Sequence, residues 1–332
     1  MLMVVLSSIV IAAVTSWGLL GALIPQLRRR LLDQPNARSS HRQPTPRGGG
    51  VAFVLVAIAA SLLALSSRGS VATAVDPQII LSLIALPLAL VGFLDDRHNL
   101  PASWRFGVQL ATALALILLS PLPWPWLAAL PLLVAITAVI NFTNFMDGLD
   151  GLVASCLAIA LAAAGLRLSS PWPLWALVGA LLGFLLWNWS PASVFMGDVG
   201  STFLGAVFAG MVLQARSWPE ALGLMLVATP LLADACLCVP RRLLAGQRVF
   251  QAHRLHLFQR LHQAGWSHAQ VSGLYITATA ASAVTLLLWG WRGVGALAAV
   301  ELLVGIWLDQ RIAVPFSASL TGPHNYQPGA SD

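Results

Sequence analysis

The chain has 332 residues, of which 58% are hydrophobic and only 9% charged, and its mean hydropathy is +0.80. A soluble globule carries roughly 25% charged residues, so a water-soluble domain is excluded and most of the surface is expected to face lipid. All 18 cations are Arg. That excludes a Walker A lysine, a Schiff-base lysine and a lysine general base. The net charge of +6 fits Arg-rich loops beside a membrane better than it fits nucleic acid.

A membrane-crossing helix takes roughly 20 apolar residues. In chain order the hydropathy predicts eleven such segments: roughly 2–27, 50–67, 79–94, 106–121, 127–143, 151–168, 174–189, 201–216, 220–240, 271–290 and 295–312. The predicted fold class is all-α, a polytopic integral membrane protein of about 11 transmembrane helices. Residues 1–312 are expected to form a single transmembrane domain, with 313–332 as a short tail. No basic residue precedes the first apolar run, which argues against a cleavable signal. Cys156, Cys236 and Cys238 form no CxxC and lie in or beside apolar stretches, so neither disulfides nor a thiolate metal site is expected.

The connections fall into two kinds. Those at 121–126, 169–173 and 291–293 are short and rich in Pro, Trp or Gly, with little room for chemistry. The others, about 28–50, 95–105, 141–151, 190–200 and 241–270, carry nearly all the polar residues. Eleven spans place these five on one side together with the C-terminus. Fourteen of the 18 arginines are on that side, which predicts a cytoplasmic active-site face and an outside N-terminus in a bacterial inner membrane.

The polar loops carry the candidate chemistry. The first holds His41, Arg42 and Arg47 before Gly48-Gly49-Gly50, a run that also suits a flexible lead-in to a span. Asp95 and Asp96 end an otherwise apolar helix, where carboxylates are costly unless paired, metal-bound or wet; Arg97 or Arg105 could neutralise them. In NFTNFMDGLDG, Asn141, Asn144 and Asp147 fall at i, i+3 and i+6, about 120° apart at most on a helix. Their oxygens suit a hard cation, and the same residues also suit a turn. FMGDVGS contributes Asp198, either a fifth member of the acidic set after Asp95, Asp96, Asp147 and Asp150 or a helix cap. In HRLHLFQR, a helix would bring His253, His256 and Arg260 within about 60° and turn Arg254 away. Such a stripe fits phosphate or anionic headgroups.

Taken as an ordered set, DQPNARSSHRQPTPRGGG, GFLDDRHNLPASWR, NFTNFMDGLDGL, FMGDVGS and HRLHLFQRLHQAG resemble the polyprenyl-phosphate N-acetylhexosamine-1-phosphate transferases, over about residues 33–265. The resemblance implies Mg²⁺-dependent transfer of a sugar 1-phosphate from a UDP-N-acetylhexosamine to undecaprenyl phosphate in the bilayer, with UMP released; Mn²⁺ can substitute. It implies Asn144 and Asp198 as metal ligands, and Asp95, Asp96, Asp147 and His253 as catalytic groups. His41, Asp150, Phe195, Arg254 and His256 would bind substrate, with Phe195 stacking on uracil. The split histidines of HRLH resemble the branch that initiates O-antigen, lipopolysaccharide and related polymers from UDP-GlcNAc, UDP-FucNAc or UDP-QuiNAc. The cell-wall branch, the phospho-MurNAc-pentapeptide transferases, carries a contiguous His triplet and is the alternative within the family. A homodimer is left open, and nucleic acid is not expected as a partner.

Other classes fit less well. A nucleotide-sugar or lipid-linked-sugar transporter would need polar residues near the midplane, yet Asp234 and Glu301 are the only acids well inside the predicted spans. An intramembrane aspartyl protease would need Gly where Phe195 stands. A CDP-alcohol phosphotransferase would need an Arg and further aspartates that do not surround DGLDG.

Overall fold

A computed structural model describes residues 2–34, 43–67, 75–247 and 253–317. His41, Arg42 and Arg248 lie outside the described residues. Helix α1 (Leu2–Arg30) ends in three arginines. The chain then forms a small antiparallel pair, β1 (Leu32–Asp33) and β2 (Thr45–Pro46), with Leu32 opposite Pro46. This pairing closes the first polar loop on itself, a feature that an all-helical expectation did not include.

The next helices are α2 (Val51–Ser66), α3 (Pro77–His98), α4 (Ala102–Leu118), α5 (Ala129–Met146), α6 (Leu152–Leu168), α7 (Trp172–Asn188) and α8 (Asp198–Leu213). Beyond them come α9 (Trp218–Val227), α10 (Thr229–Leu244), the short α11 (Leu257–Gln263) and α12 (His268–Arg311). All eleven predicted apolar segments coincide with helices. The ninth is the pair α9–α10, bent by 86°. The last two are the halves of α12, which breaks at Gly290 (φ 67°, ψ −163°). Ser282 Oγ donates to Glu301 Oε1 at 2.8 Å. A straight helix rises 1.5 Å per residue, so contact between residues that far apart requires the two halves to fold back on each other. Glu301 is thereby accounted for as a pin across this hairpin.

The protein is an all-α, polytopic membrane protein. Among the described residues four helices are long and apolar enough to cross a bilayer unaided, and the bent pair makes a fifth. Helices α2, α4, α6, α7 and α8 are apolar but only 16 or 17 residues long. At 1.5 Å per residue they fall short of a core of about 30 Å. Helix α8 is the axis: Val199 through Leu213 are all buried, so its uniform hydrophobicity reflects a protein environment on every side. Helices α3 and α5 pack along it. Between α1 and α7 the backbones nearly touch, since a Cβ on Gly179 would meet Ile9 O at 2.2 Å and one on Gly183 would meet Ala13 O at 2.1 Å. Small residues four apart are a common means of close helix approach in lipid.

Candidate active site

Two glycine contacts bring the motifs together. Gly49 N donates to Phe195 O and Gly50 N to Met196 O, both at 2.9 Å, while Phe195 N donates to Pro46 O at 2.8 Å. A Cβ on Gly50 would stand 2.5 Å from Gly200 Cα. The glycine run is therefore a docking surface for the loop before α8, and it fixes where Asp198 begins that helix. Asn188 ties the same loop to the turn after α5: its amide donates to Val194 O at 3.0 Å and its oxygen accepts from Gly151 N at 3.1 Å.

Asp95, Asp96, Asn144, Asp147 and Asp198 converge. The Asn144 amide donates to Asp198 Oδ1 at 2.9 Å and to Ser201 Oγ at 2.8 Å. The Asp95 and Asp198 carboxyls meet each other. Asp95 Oδ1 accepts from Leu100 N at 2.6 Å, and Oδ2 from Arg105 at 2.8 Å. Arg105 also lies 3.8 Å from Asp198. Asp96 accepts from Val199 N at 3.4 Å and pairs with Arg47 at 3.8 Å; the Arg47 guanidinium also donates to the Asp96 carbonyl. Asp147 ends α5 and accepts from Gly197 N. Burial, reinforced by Asp198 and Asp96, pushes the Asp147 pKa up to about 8. Four carboxyl groups thus face two guanidiniums among the described residues, with Asp147 largely protonated at neutral pH unless a cation joins them. A hard divalent cation suits that imbalance, and Asn144 with Asp198 offers the oxygen donors it prefers.

Asp150 is set to one side. Its carboxylate accepts from Ala192 N at 3.2 Å and pairs with His268 Nδ1 at 3.1 Å, while its carbonyl accepts from Ser272 Oγ at 2.8 Å. Asn141 also turns away from the acids, exchanging amide hydrogen bonds of 2.8 and 3.2 Å with Gln109 of α4. The expected single face for Asn141, Asn144 and Asp147 is therefore split between two neighbours. Phe195 is partly buried beside the glycine run.

The His motif differs from its expected helical form. Helix α11 starts only at Leu257, and His256 is its N-cap with extended backbone (φ −62°, ψ 150°). The reason is Asp234 of α10, which accepts from Leu257 N at 2.8 Å and Phe258 N at 3.0 Å and so fixes the helix start. His253 and His256 still meet, with ring centroids 4.8 Å apart. Arg260 instead turns to Asp309 and to Val314 O. The motif reaches the acidic group through apolar contacts: Phe145 lies 6.4 Å from the His256 ring, and the Phe258 ring rests on Gly148. Cys238, His253 and His256 place possible ligand atoms within 4.8 Å of one another, but the Arg242 guanidinium acts on both His253 and Cys238 and favours anions there.

Arg47, Arg105, Ser201 and Asp234 join the site beyond the predicted set. Arg105 carried a sequence signal in its spacing from Asp95. Ser201 sits one turn into α8 beside Asp198. Asp234 was visible only as a lone intramembrane acid.

Residues 78–216 match the sequence profile of glycosyl transferase family 4. A decaprenyl-phosphate N-acetylglucosaminephosphotransferase of Mycobacterium leprae is 29% identical over 86% of this chain and 80% of its own. A phospho-N-acetylmuramoyl-pentapeptide-transferase of a Synechococcus species is 31% identical over 82% of this chain and 88% of its own. A Bacillus subtilis protein named for undecaprenyl-phosphate N-acetylglucosaminyl 1-phosphate transfer is 27% identical over 71% of each chain.

Proposed function

The chain belongs to glycosyl transferase family 4, and from that membership we propose its reaction. An N-acetylhexosamine 1-phosphate passes from a UDP-sugar to undecaprenyl phosphate, and UMP is released. The observation that carries this reading is the set of four carboxylates at the ends of α3, α5 and the start of α8, facing Arg47 and Arg105. Asn144 and Asp198 would hold Mg²⁺, which when bound would neutralise diphosphate charge.

A lipid-phosphate oxygen attacks the phosphorus joined to the sugar, and the bond from that phosphorus to the UMP oxygen breaks in line. Such transfer depends on positioning and charge neutralisation. The second pKa of a phosphate monoester is near 6, so the nucleophile is largely ionised without help. Both Asp95 oxygens already accept hydrogen bonds, one of them from Arg105. Asp95 and Asp96 therefore hold and orient Arg105 and Arg47, and proton removal by Asp95 would require breaking its ion pair first. His253, Arg254 and His256 meet the diphosphate, Phe195 stacks on uracil, and Asp147 and Asp150 border the nucleotide.

The Arg-rich loops support a cytoplasmic active-site face. The HRLH spacing favours a polysaccharide-initiating donor such as UDP-GlcNAc, UDP-FucNAc or UDP-QuiNAc over the cell-wall precursor. The test is UMP release by purified protein in detergent, with undecaprenyl phosphate and a panel of UDP-N-acetylhexosamines, with and without Mg²⁺. Lipid- and metal-dependent UMP release supports the reaction, and the best donor names the branch. Folded protein that binds a UDP-sugar and releases no UMP from any donor refutes it.

A further inference from the structure

Asp234 lies in α10, is 8% exposed, and makes contacts that reach both α11 and α12. Its Oδ1 accepts from Leu257 N at 2.8 Å and lies 3.5 Å from His256 Nδ1. Its Oδ2 accepts from Phe258 N at 3.0 Å and from the Tyr275 hydroxyl of α12 at 2.8 Å. An intramembrane carboxylate with a merely structural role needs only satisfied oxygens. Here those oxygens accept from the backbone of the His motif and from Tyr275, and the His256 ring lies within ion-pair distance.

We propose that Asp234 is a positioning residue of the transferase: it locks the first turn of α11 and holds the buried His256 ring, so that the partly exposed His253 ring beside it faces the anionic substrate in a fixed position. The inference rests on the transfer reaction proposed above.

The groups around His256 show what this arrangement achieves. Asp234 and Cys238 face it from α10, His253 from the preceding loop and the Phe145 ring from α5; Tyr275 and Arg260 act through Asp234, and Arg242 through His253. Burial alone would depress the His256 pKa, but Asp234, with help from Cys238, outweighs it and raises the value to about 9. For His253, burial, the His256 charge and Arg242 together push the value down to about 3. Adjacent rings driven apart in this way take different roles. At neutral pH His256 is a buried cation behind its neighbour, and His253 is the neutral hydrogen-bonding ring nearer the surface. The sign is set by Asp234: without its charge His256 follows burial, its pKa falls below the ordinary histidine value of about 6.5, and the ring is neutral from pH 7 upward.

The experiment uses the full chain in detergent. Wild type, Asp234→Asn, His256→Asn and the double variant are compared for UMP release from pH 6 to 8. Histidine ring nitrogens are followed in parallel by ¹⁵N NMR, with His256 assigned by its loss in His256→Asn. Asp234→Asn is expected to raise KM for the UDP-sugar about tenfold at pH 7 to 8. In the His256→Asn background it should add less than about twofold, because non-additivity marks residues acting through one another. The wild-type His256 ring should carry both protons at pH 7.5, and the Asp234→Asn ring only one. A deficit that multiplies fully with His256→Asn, or an Asp234→Asn ring that still carries both protons at pH 7.5, would overturn the proposal and leave Asp234 a purely structural residue. Should Asp234→Asn not fold, the wild-type spectrum decides, since a neutral His256 at pH 7.5 also overturns it. The two readings fail separately: absence of UMP release by wild type counts against the reaction, whereas the ring signals test the Asp234–His256 link without turnover.

Discussion

Replacing Gly50 by Ala tests whether the glycine run docks the catalytic loop. Gly50 is the N-cap of α2, with φ −56° and ψ −22°, a helical conformation that favours Ala although Gly is the better cap. Backbone preference alone therefore predicts at most about 0.5–1 kcal/mol of stabilisation. The added Cβ, however, would stand 2.5 Å from Gly200 Cα, 2.8 Å from Gly200 N and 3.0 Å from Met196 O. Carbon pairs settle at about 3.5–4.0 Å, so the two backbones must part by roughly 1 Å. All three obstructing atoms are main chain and cannot rotate away. Overpacking of this kind costs about 1–3 kcal/mol, which exceeds the conformational gain. The displaced segment carries Asp198, the proposed metal ligand, and a misplacement of about 1 Å in an active-site group can cost on the order of 100-fold in rate. Gly50→Ala should thus lower kcat/KM for UMP release about 100-fold and lower the detergent-phase Tm. Gly273→Ala, in α12 with open space around the new methyl, is the control and should stabilise by about 0.5–1 kcal/mol. If Gly50→Ala proves as active as wild type, or more stable, the close approach of the two loops is wrong.

Two further outcomes follow from the acids. Mg²⁺ at 100 times its Kd should stabilise the folded protein by about 2.7 kcal/mol, read as a rise in Tm over the EDTA sample; Asp198→Asn should abolish this rise and Asp150→Asn should keep it, and a shift surviving in Asp198→Asn would remove that residue from the metal site. Asp150 gives a pH signature. Burial opposes its ionisation, but the hydrogen bond and charge of His268, with Ala192 N, outweigh burial and hold its pKa below 3.8. Its contribution is therefore fully present above about 3.8 and lost as pH falls through the depressed folded value. Asp150→Asn should be less stable than wild type at pH 7, with the gap closing below pH 3.8; a gap that is flat across this range would deny the ion pair its role.

Much of this arrangement was legible in the residues because lipid leaves few choices. Apolar runs long enough to cross must be helical, so the helical segments followed directly from hydropathy. Acids at the ends of apolar runs had to find partners, and Asp95, Asp96, Asp147 and Asp198 did so in one place. What stayed hidden depends on contacts remote in sequence. The HRLH segment has helical spacing, but Asp234 bonds Leu257 N and Phe258 N and starts the helix after the histidines. Asn141 has the right spacing to join Asn144, yet Gln109 of a neighbouring helix captures it. The glycine run gave no sign of its partner, because close approach is a property of two backbones.

The site has two parts of opposite character, and the way they are joined bears on how it works. The acids of α3, α5 and α8 gather four carboxyl groups that suit a cation, whereas His253, Arg254 and His256 favour anions. No ion pair between the two sets is needed to hold them in register. Phe145 reaches His256 from the acidic side, and Phe258 rests on Gly148 from the other. Apolar contacts carry no charge that a diphosphate could displace, so substrate can enter between the two parts without first breaking the link that spaces them. A salt bridge in that position would compete with the phosphates for the same cations. Spacing by aromatic packing therefore leaves the charged groups free for the substrate, while the buried ties of Asp234 and Asn188 keep each half rigid.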